Sequence, residues 1–187
     1  TVMAVSFSGE PAYEIHVPNA SLFAAYSALR AAGTAHGLKL FGAHAVDSMR
    51  MEKGFLHWKA DILTEFDPFE TGLDRFVRLQ KPDFVGKPAL LARADAGPRK
   101  RIVTLRLDSR DAPAHGGASV MKDGAVVGTV TSGAWGHRTG KNIAYAFMEP
   151  DFSQEGQALT VDVLGADITA TIVPQALYDP QMLLLRR

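Results

Sequence analysis

The sequence predicts an α+β segment followed by a small all-β unit. Two observations carry this. Before residue 97, apolar residues recur at helical spacing between short alternating runs. After Ala96-Gly97-Pro98, nearly every segment reads as strand or turn, with Asp123-Gly124 and Leu164-Gly165-Ala166-Asp167 as hairpin signals. A boundary near residue 97 separates an α+β part, 1–96, from a barrel or sandwich, 97–187.

Met3, Val5 and Phe7 alternate, then Gly9-Glu10-Pro11 bends the chain, and a second alternating run spans Ala12 to Val17. Side chains two apart on a strand share a face, so Glu14 and His16 point one way and Tyr13, Ile15 and Val17 point to a core. A mid-strand carboxylate either faces solvent or holds a ligand offering N–H donors. Asn19 or Ser21 caps a helix whose Leu22, Phe23, Tyr26 and Leu29 read as core, stopping near Gly33. A second helix is expected from Gly42 to Lys53, with Asp47 and Arg50 paired three apart. Residues 55–72 are an aromatic, acidic loop folded back on the core. Leu73–Leu79 reads as a strand, and Pro88 opens a third helix, Ala89–Ala94. Six strands follow: Arg101–Leu107, Ser119–Met121, Ala125–Thr131, Ile143–Met148, Leu159–Val163 and Ile168–Val173.

Composition closes off several functions. The 20 basic and 20 acidic residues cancel, and neither half of the chain is polarised, so no nucleic acid or anionic membrane is implied. No cysteine means no disulfide, thiolate metal site or cysteine nucleophile, and fits a reducing compartment. No apolar run reaches the ~20 residues of a membrane span. A cytoplasmic location is expected. The six histidines form no paired metal motif, and Ser132 lacks the glycine context of a hydrolase nucleophile.

Several motifs occur in order: Gly9-Glu10-x-x-Tyr13-Glu14-Ile15-His16-Val17-Pro18; Asp47-Ser48-Met49-Arg50-Met51-Glu52-Lys53-Gly54; Trp58-x-x-Asp61-Ile62; Pro68-x-Glu70-x-Gly72-Leu73; Asp83-Phe84-x-Gly86-Lys87-x-Ala89-Leu90; and Gly128-x-Val130-Thr131-Ser132-Gly133. Together they resemble the folate-dependent aminomethyltransferase (glycine-cleavage T-protein) family, from about Ser6 to Asp179. Glu52-Lys53-Gly54, the Trp58 motif, Gly133-x-Trp135-Gly136-His137 and Leu177-Tyr178-Asp179-Pro180 resemble the C-terminal half of dimethylglycine and sarcosine dehydrogenases.

The resemblance implies the C-terminal part of a ferredoxin-like folate-binding domain followed by a small antiparallel β-barrel. It implies tetrahydrofolate as cofactor, with Glu14 on the pterin, because an ionised carboxylate accepts two adjacent N–H bonds. His16 shares that face. Trp135 flanks the folate by stacking or packs in the core. Glu10, at the bend, supports the site, Tyr178 closes it, and Arg50 is expected to be buried and paired. The family's catalytic aspartate and the FAD domain of the dehydrogenases would lie in a missing N-terminal region, so no catalytic residue is assigned here and the fragment alone is expected to be inactive. The implied function is capture of a one-carbon iminium as methylenetetrahydrofolate. A T-protein-like aminomethyltransferase and a non-catalytic scaffold with a decayed folate site are the alternatives. Two departures bear on these. Val46 stands where the T-protein branch has a folate-reading arginine, and Ala12 replaces the usual glycine before Tyr13.

Overall fold

The computed structural model describes residues 1–186. Its larger feature is a closed antiparallel barrel of six strands: β3 (Arg101–Leu107), β4 (Ser119–Lys122), β5 (Ala125–Gly136), β6 (Lys141–Met148), β7 (Ala158–Val163) and β8 (Ala166–Val173), in the order β3-β6-β5-β4-β7-β8. Closure leaves the barrel no unpaired edge. Alternate residues point inward, so Leu105, Val120, Val130, Ala146, Val161 and Ala170 fill the interior. Asp123 and Gly124 both have positive φ, as do Leu164 and Gly165, the geometry of a tight hairpin turn.

Strand β5 carries one irregularity. Val130 pairs with Ala146 and Ser132 with Tyr145, so Thr131 is an extra residue in a bulge. In a regular strand, neighbouring side chains face opposite ways. The bulge instead lets the Thr131 and Ser132 hydroxyls reach the same carboxylate, that of Asp61.

The preceding segment is thinner. Strands β1 (Val2–Met3) and β2 (Glu14–Ile15) pair antiparallel, followed by α1 (Leu22–Thr34), α2 (Ala43–Glu52) and α3 (Lys87–Ala96). Of these, α2 lies against β5 and β6. Gly54 ends its turn at φ 77°, with Gln175 O 2.9 Å from where a Cβ would stand. A side chain there would push off the C-terminal segment.

Several expectations need correction. Leu73–Leu79 is not a strand. It holds a short 3-10 turn, Asp74–Phe76; outside the closed barrel, the described residues form only the two-residue β1–β2 ladder, which offers it no pairing edge. Tyr13 and Ile15 are exposed, as are Leu22, Phe23, Tyr26 and Leu29 of α1, with Phe23 81% exposed. Their spacing is that of a buried face, but no element among the described residues covers it. Ser21 sits at the N-cap position of α1 without a capping side-chain bond. The third helix starts two residues early, at Lys87, from a left-handed Gly86.

The 55–72 loop does fold onto the core. Glu70 is buried at its end and accepts Nε and Nη2 of Arg99, each at 3.0 Å, and the backbone N–H groups of Arg99 and Asp67. Its carbonyl accepts Ile102 N at 2.9 Å, joining the loop to β3. The hydrogen bond from Arg99 leads in pulling the Glu70 carboxyl from the ordinary 4.5 down to about 2. That stabilisation is complete above pH 4.5 and is lost as pH falls through 2. Glu70→Gln should therefore cost on the order of 2 kcal/mol near neutral pH, allowing for the exposed Arg99 partner. Urea midpoints of the two proteins should converge on acidification through that window.

Candidate functional site

The Asp47–Gly54 motif forms the C-terminal end of α2, and three of its side chains are charged yet buried. Arg50 is 3% exposed, Glu52 0% and Lys53 2%. Each has a dedicated partner, as burial of charge requires. Arg50 donates to Asp61 Oδ2 at 2.6 Å, to Ser132 Oγ at 3.0 Å and to the Phe55 carbonyl, and it keeps the expected pair with Asp47 at 3.1 Å. Asp61, fully buried, also accepts His57 N, Thr131 Oγ1 and Ser132 Oγ. One ion pair thus ties α2, the 57–62 turn and the β5 bulge together.

Glu52 accepts Arg138 Nε at 2.8 Å and Thr139 N at 2.7 Å, from the turn between β5 and β6. Lys53 donates to the Asp179 carbonyl and to its Oδ2, at 2.5 and 2.7 Å. The hydrogen bond from Lys53 is the main cause that holds the Asp179 carboxyl below the usual range. The Glu52 carbonyl accepts the N–H groups of Leu177 and Tyr178. Tyr145 OH, on β6, donates to the Met51 carbonyl at 2.7 Å. The end of α2 is therefore pinned from the barrel and from the C-terminal segment.

Arg138 extends this frame to the N-terminal bend. Besides Glu52, it donates to Glu10 Oε1 at 2.8 Å and to the carbonyls of Ser8 and Met49, and its guanidinium lies 3.9 Å from the Tyr178 ring centre. Burial works against the Arg138 charge, but Glu52 and Glu10 outweigh it and its pKa is raised. Glu10 and Tyr178 thus come together, 3.5 Å apart, around a shared arginine.

Glu14 and His16 form a second, separate group. His16 Nε2 is 3.2 Å from Glu14 Oε2, and the side chains are 57% and 59% exposed. Both lie on β2 or just after it, open to solvent. Among the described residues, no arginine or lysine pairs with Glu14. Trp135 is in a third place. It walls a cleft of about 460 Å3 that also includes His44, Asp47, Ser48, His57 and His137, and its carbonyl accepts Ser48 Oγ at 2.6 Å. Neither Glu14 nor Glu10 lines that cleft. The five candidate residues therefore occupy three neighbourhoods. No three His, Asp or Glu side chains among the described residues gather to hold a metal ion.

Sequence reasoning assigned no role to Glu52 or Lys53 beyond their place in a motif, and none to Arg138. For Glu52 and Lys53 the available signal was that, with Arg50, they place three charges at the end of α2.

A family model described as the GCVT N-terminal domain matches residues 1–81, and the glycine cleavage T-protein C-terminal barrel domain matches residues 100–179. The chain belongs to the glycine-cleavage T-protein family. Its T-protein-like relatives include human mitochondrial dimethylglycine dehydrogenase, 34% identical over 95% of this chain and 21% of the relative. An aminomethyltransferase of Saccharopolyspora erythraea is 36% identical, over 92% of this chain and 47% of the relative. The solved glycine cleavage system aminomethyltransferase T of Bartonella henselae superposes with a TM-score of 0.84 at 25% identity, over 94% of this chain and 49% of that one. The chain thus spans about a fifth of the dehydrogenase and half of the aminomethyltransferases. No helix among the described residues is long and apolar enough to cross a membrane.

Within this T-protein frame, Asp61→Ala should cost about 3–5 kcal/mol, since it strands the buried Arg50 charge. Adding Arg50→Met should recover part of that loss. Urea denaturation of the two variants checks both statements; equal stability of Asp61→Ala and the parent protein would deny the pair its role.

Proposed function

We propose that the chain is the tetrahydrofolate-binding C-terminal portion of an enzyme like dimethylglycine or sarcosine dehydrogenase. Residues 1–96 belong to the folate-binding domain and 97–187 to its barrel partner. The observation that carries the reading is the Glu14 carboxylate. It stands exposed on a strand, its side chain paired among the described residues with His16 alone, through Oε2, so it can still accept N–H donors. The pterin edge presents a ring N–H beside an exocyclic amine, and a carboxylate matches that pair.

The residues present fit a folate ligand in chemistry. Glu14 would take the pterin edge and His16 would line the same face. Glu10, through Arg138 and Tyr178, would keep the bend ahead of β2 in place. Trp135 would offer an aromatic wall further along. Tetrahydrofolate supplies the nucleophilic nitrogen that takes up the one-carbon unit. The task of this chain is positioning, which can account for a large part of a bimolecular barrier. Proton handling and flavin oxidation are assigned to upstream segments of the same protein. The apolar face of α1, with Leu22, Phe23, Tyr26 and Leu29 uncovered, is the surface on which an upstream folate-domain segment would pack.

A second reading, a T-protein-like aminomethyltransferase without a flavin domain, draws on the 36% identity to the Saccharopolyspora erythraea protein. The sequence upstream of this chain separates the two: a dinucleotide-binding glycine fingerprint supports the first.

Calorimetric titration with tetrahydrofolate tests the site. Glu14→Gln should weaken binding about tenfold or more, the loss of a charge-assisted hydrogen-bond pair. Its melting temperature should not change, because the side chain is exposed. Binding unaffected by Glu14→Gln would remove the carboxylate from the site, and no binding at all by the complete protein would leave the scaffold reading.

A further inference from the structure

A separate cleft opens on the outer face of the barrel, between β5, β6 and the loop that runs on from the 57–62 turn. It measures about 500 Å3, and its walls include Lys59, Leu63, Phe66, Lys100, Thr129 and Phe147. The barrel builds its floor. On β6, Ala146 and Met148 fill the interior, so Phe147 between them points outward, paired across the strands with Thr129 of β5 and Ile102 of β3. Phe66 of the loop stacks on it, with ring centres 3.7 Å apart. Lys59 and Thr129 are exposed, and Leu63 and Phe66 are half-buried, so the cleft is open to solvent and to a ligand. Neither Glu14 nor Trp135 lines it.

The two cations differ. Lys100 Nζ is 3.4 Å from Glu149 Oε1, so its charge is shared. Lys59 has no ion pair and no side-chain hydrogen bond among the described residues. The backbone at Lys59 is a second observation. Its φ is 67°, in the left-handed region, held there by its N–H on the Ile62 carbonyl at 3.1 Å and by the bridge between Trp58 and Ile62. A lysine is strained in that conformation and a glycine is not. The turn gains nothing from the side chain, so what the lysine adds is a charge at the cleft. One uncommitted cation calls for one negative charge, since a dianion would have to draw Lys100 away from Glu149. The remaining wall, Leu63, Phe66 and Phe147, is apolar and calls for an apolar body.

We propose that this cleft is a binding site for a small amphipathic monocarboxylate, an aryl-alkyl body ending in a single carboxylate. The carboxylate pairs with Lys59 and accepts from the Thr129 hydroxyl, and the body covers Leu63 and Phe66. The site does not depend on the folate assignment, since Glu14 takes no part in it.

The probe is phenylbutyrate, titrated by calorimetry into the complete protein. Phenylbutanol, which keeps the body and lacks the charge, and acetate, which keeps the charge and lacks the body, are titrated beside it. The acid should bind at least about fivefold tighter than either. Lys59→Gly should erase its advantage over the alcohol, while the melting temperature stays level or rises because the backbone strain is relieved. Thr129→Trp, a substitution that an exposed strand position accepts, should fill the cleft and weaken acid and alcohol alike. Lys122→Ala, at a surface lysine outside the cleft, should leave the affinity of the acid unchanged. Equal affinities of acid and alcohol for the parent protein, a preference that survives Lys59→Gly, or binding of the acid untouched by Thr129→Trp would overturn the site.

Discussion

The buried ion pair between Arg50 and Asp61 is the constraint on which the rest of the molecule depends. Neither residue can be solvated where it stands, so each must find every partner it needs within the fold. Arg50 finds a carboxylate, a hydroxyl and a carbonyl. Asp61 finds a guanidinium, two hydroxyls and a backbone N–H. Those partners come from α2, the turn after it and the bulge in β5, so satisfying the pair fixes how the helix lies on the barrel. Apolar residues of similar size would bury as well, but without dictating that one arrangement.

Glu52 and Lys53 repeat the device at the very end of the helix. Glu52 draws in the turn between β5 and β6, and Lys53 draws in the C-terminal segment at Asp179. Arg138 then passes the constraint outward, from Glu52 to Glu10 and the Ser8 carbonyl. A chain of charge-assisted bonds thus runs from the barrel to the bend before β2. Burial falls off along it. The barrel interior is sealed, whereas β1, β2 and α1 carry no buried residue. A strand held at its base and open along its length suits a group that must meet a ligand, and the uncovered face of α1 suits a packing partner.

The strands of the barrel were legible because they rest on local signals, whereas those signals left barrel and sandwich open and the choice of barrel came from the family resemblance. Alternation set the strands, and Asp123-Gly124 and Leu164-Gly165 set two hairpins at the residues that adopt positive φ. The Asp47–Arg50 contact was legible for the same reason, being three apart on one helix. What escaped depends on distant partners. Nothing near Arg138 in the chain points to Glu10, which is bonded to it from 128 positions away. Likewise, the apolar spacing of Leu22, Phe23, Tyr26 and Leu29 states that a face wants covering, but not what covers it. Leu73–Leu79 has the letters of a strand and no neighbour to pair with. Period two put Glu14 and His16 on one face, where their side chains meet. Trp135 and Tyr178 could be put in separate neighbourhoods only once the barrel and its C-terminal segment were seen against α2.

The group proposed to grip the pterin is a carboxylate on a strand anchored through α2. A crystal structure of the complete protein with tetrahydrofolate bound tests this most directly. Both Glu14 oxygens should then lie within hydrogen-bonding distance of pterin nitrogens, with Arg138 still joining Glu10 to Glu52. A bound pterin that leaves Glu14 facing solvent beside His16 would contradict it.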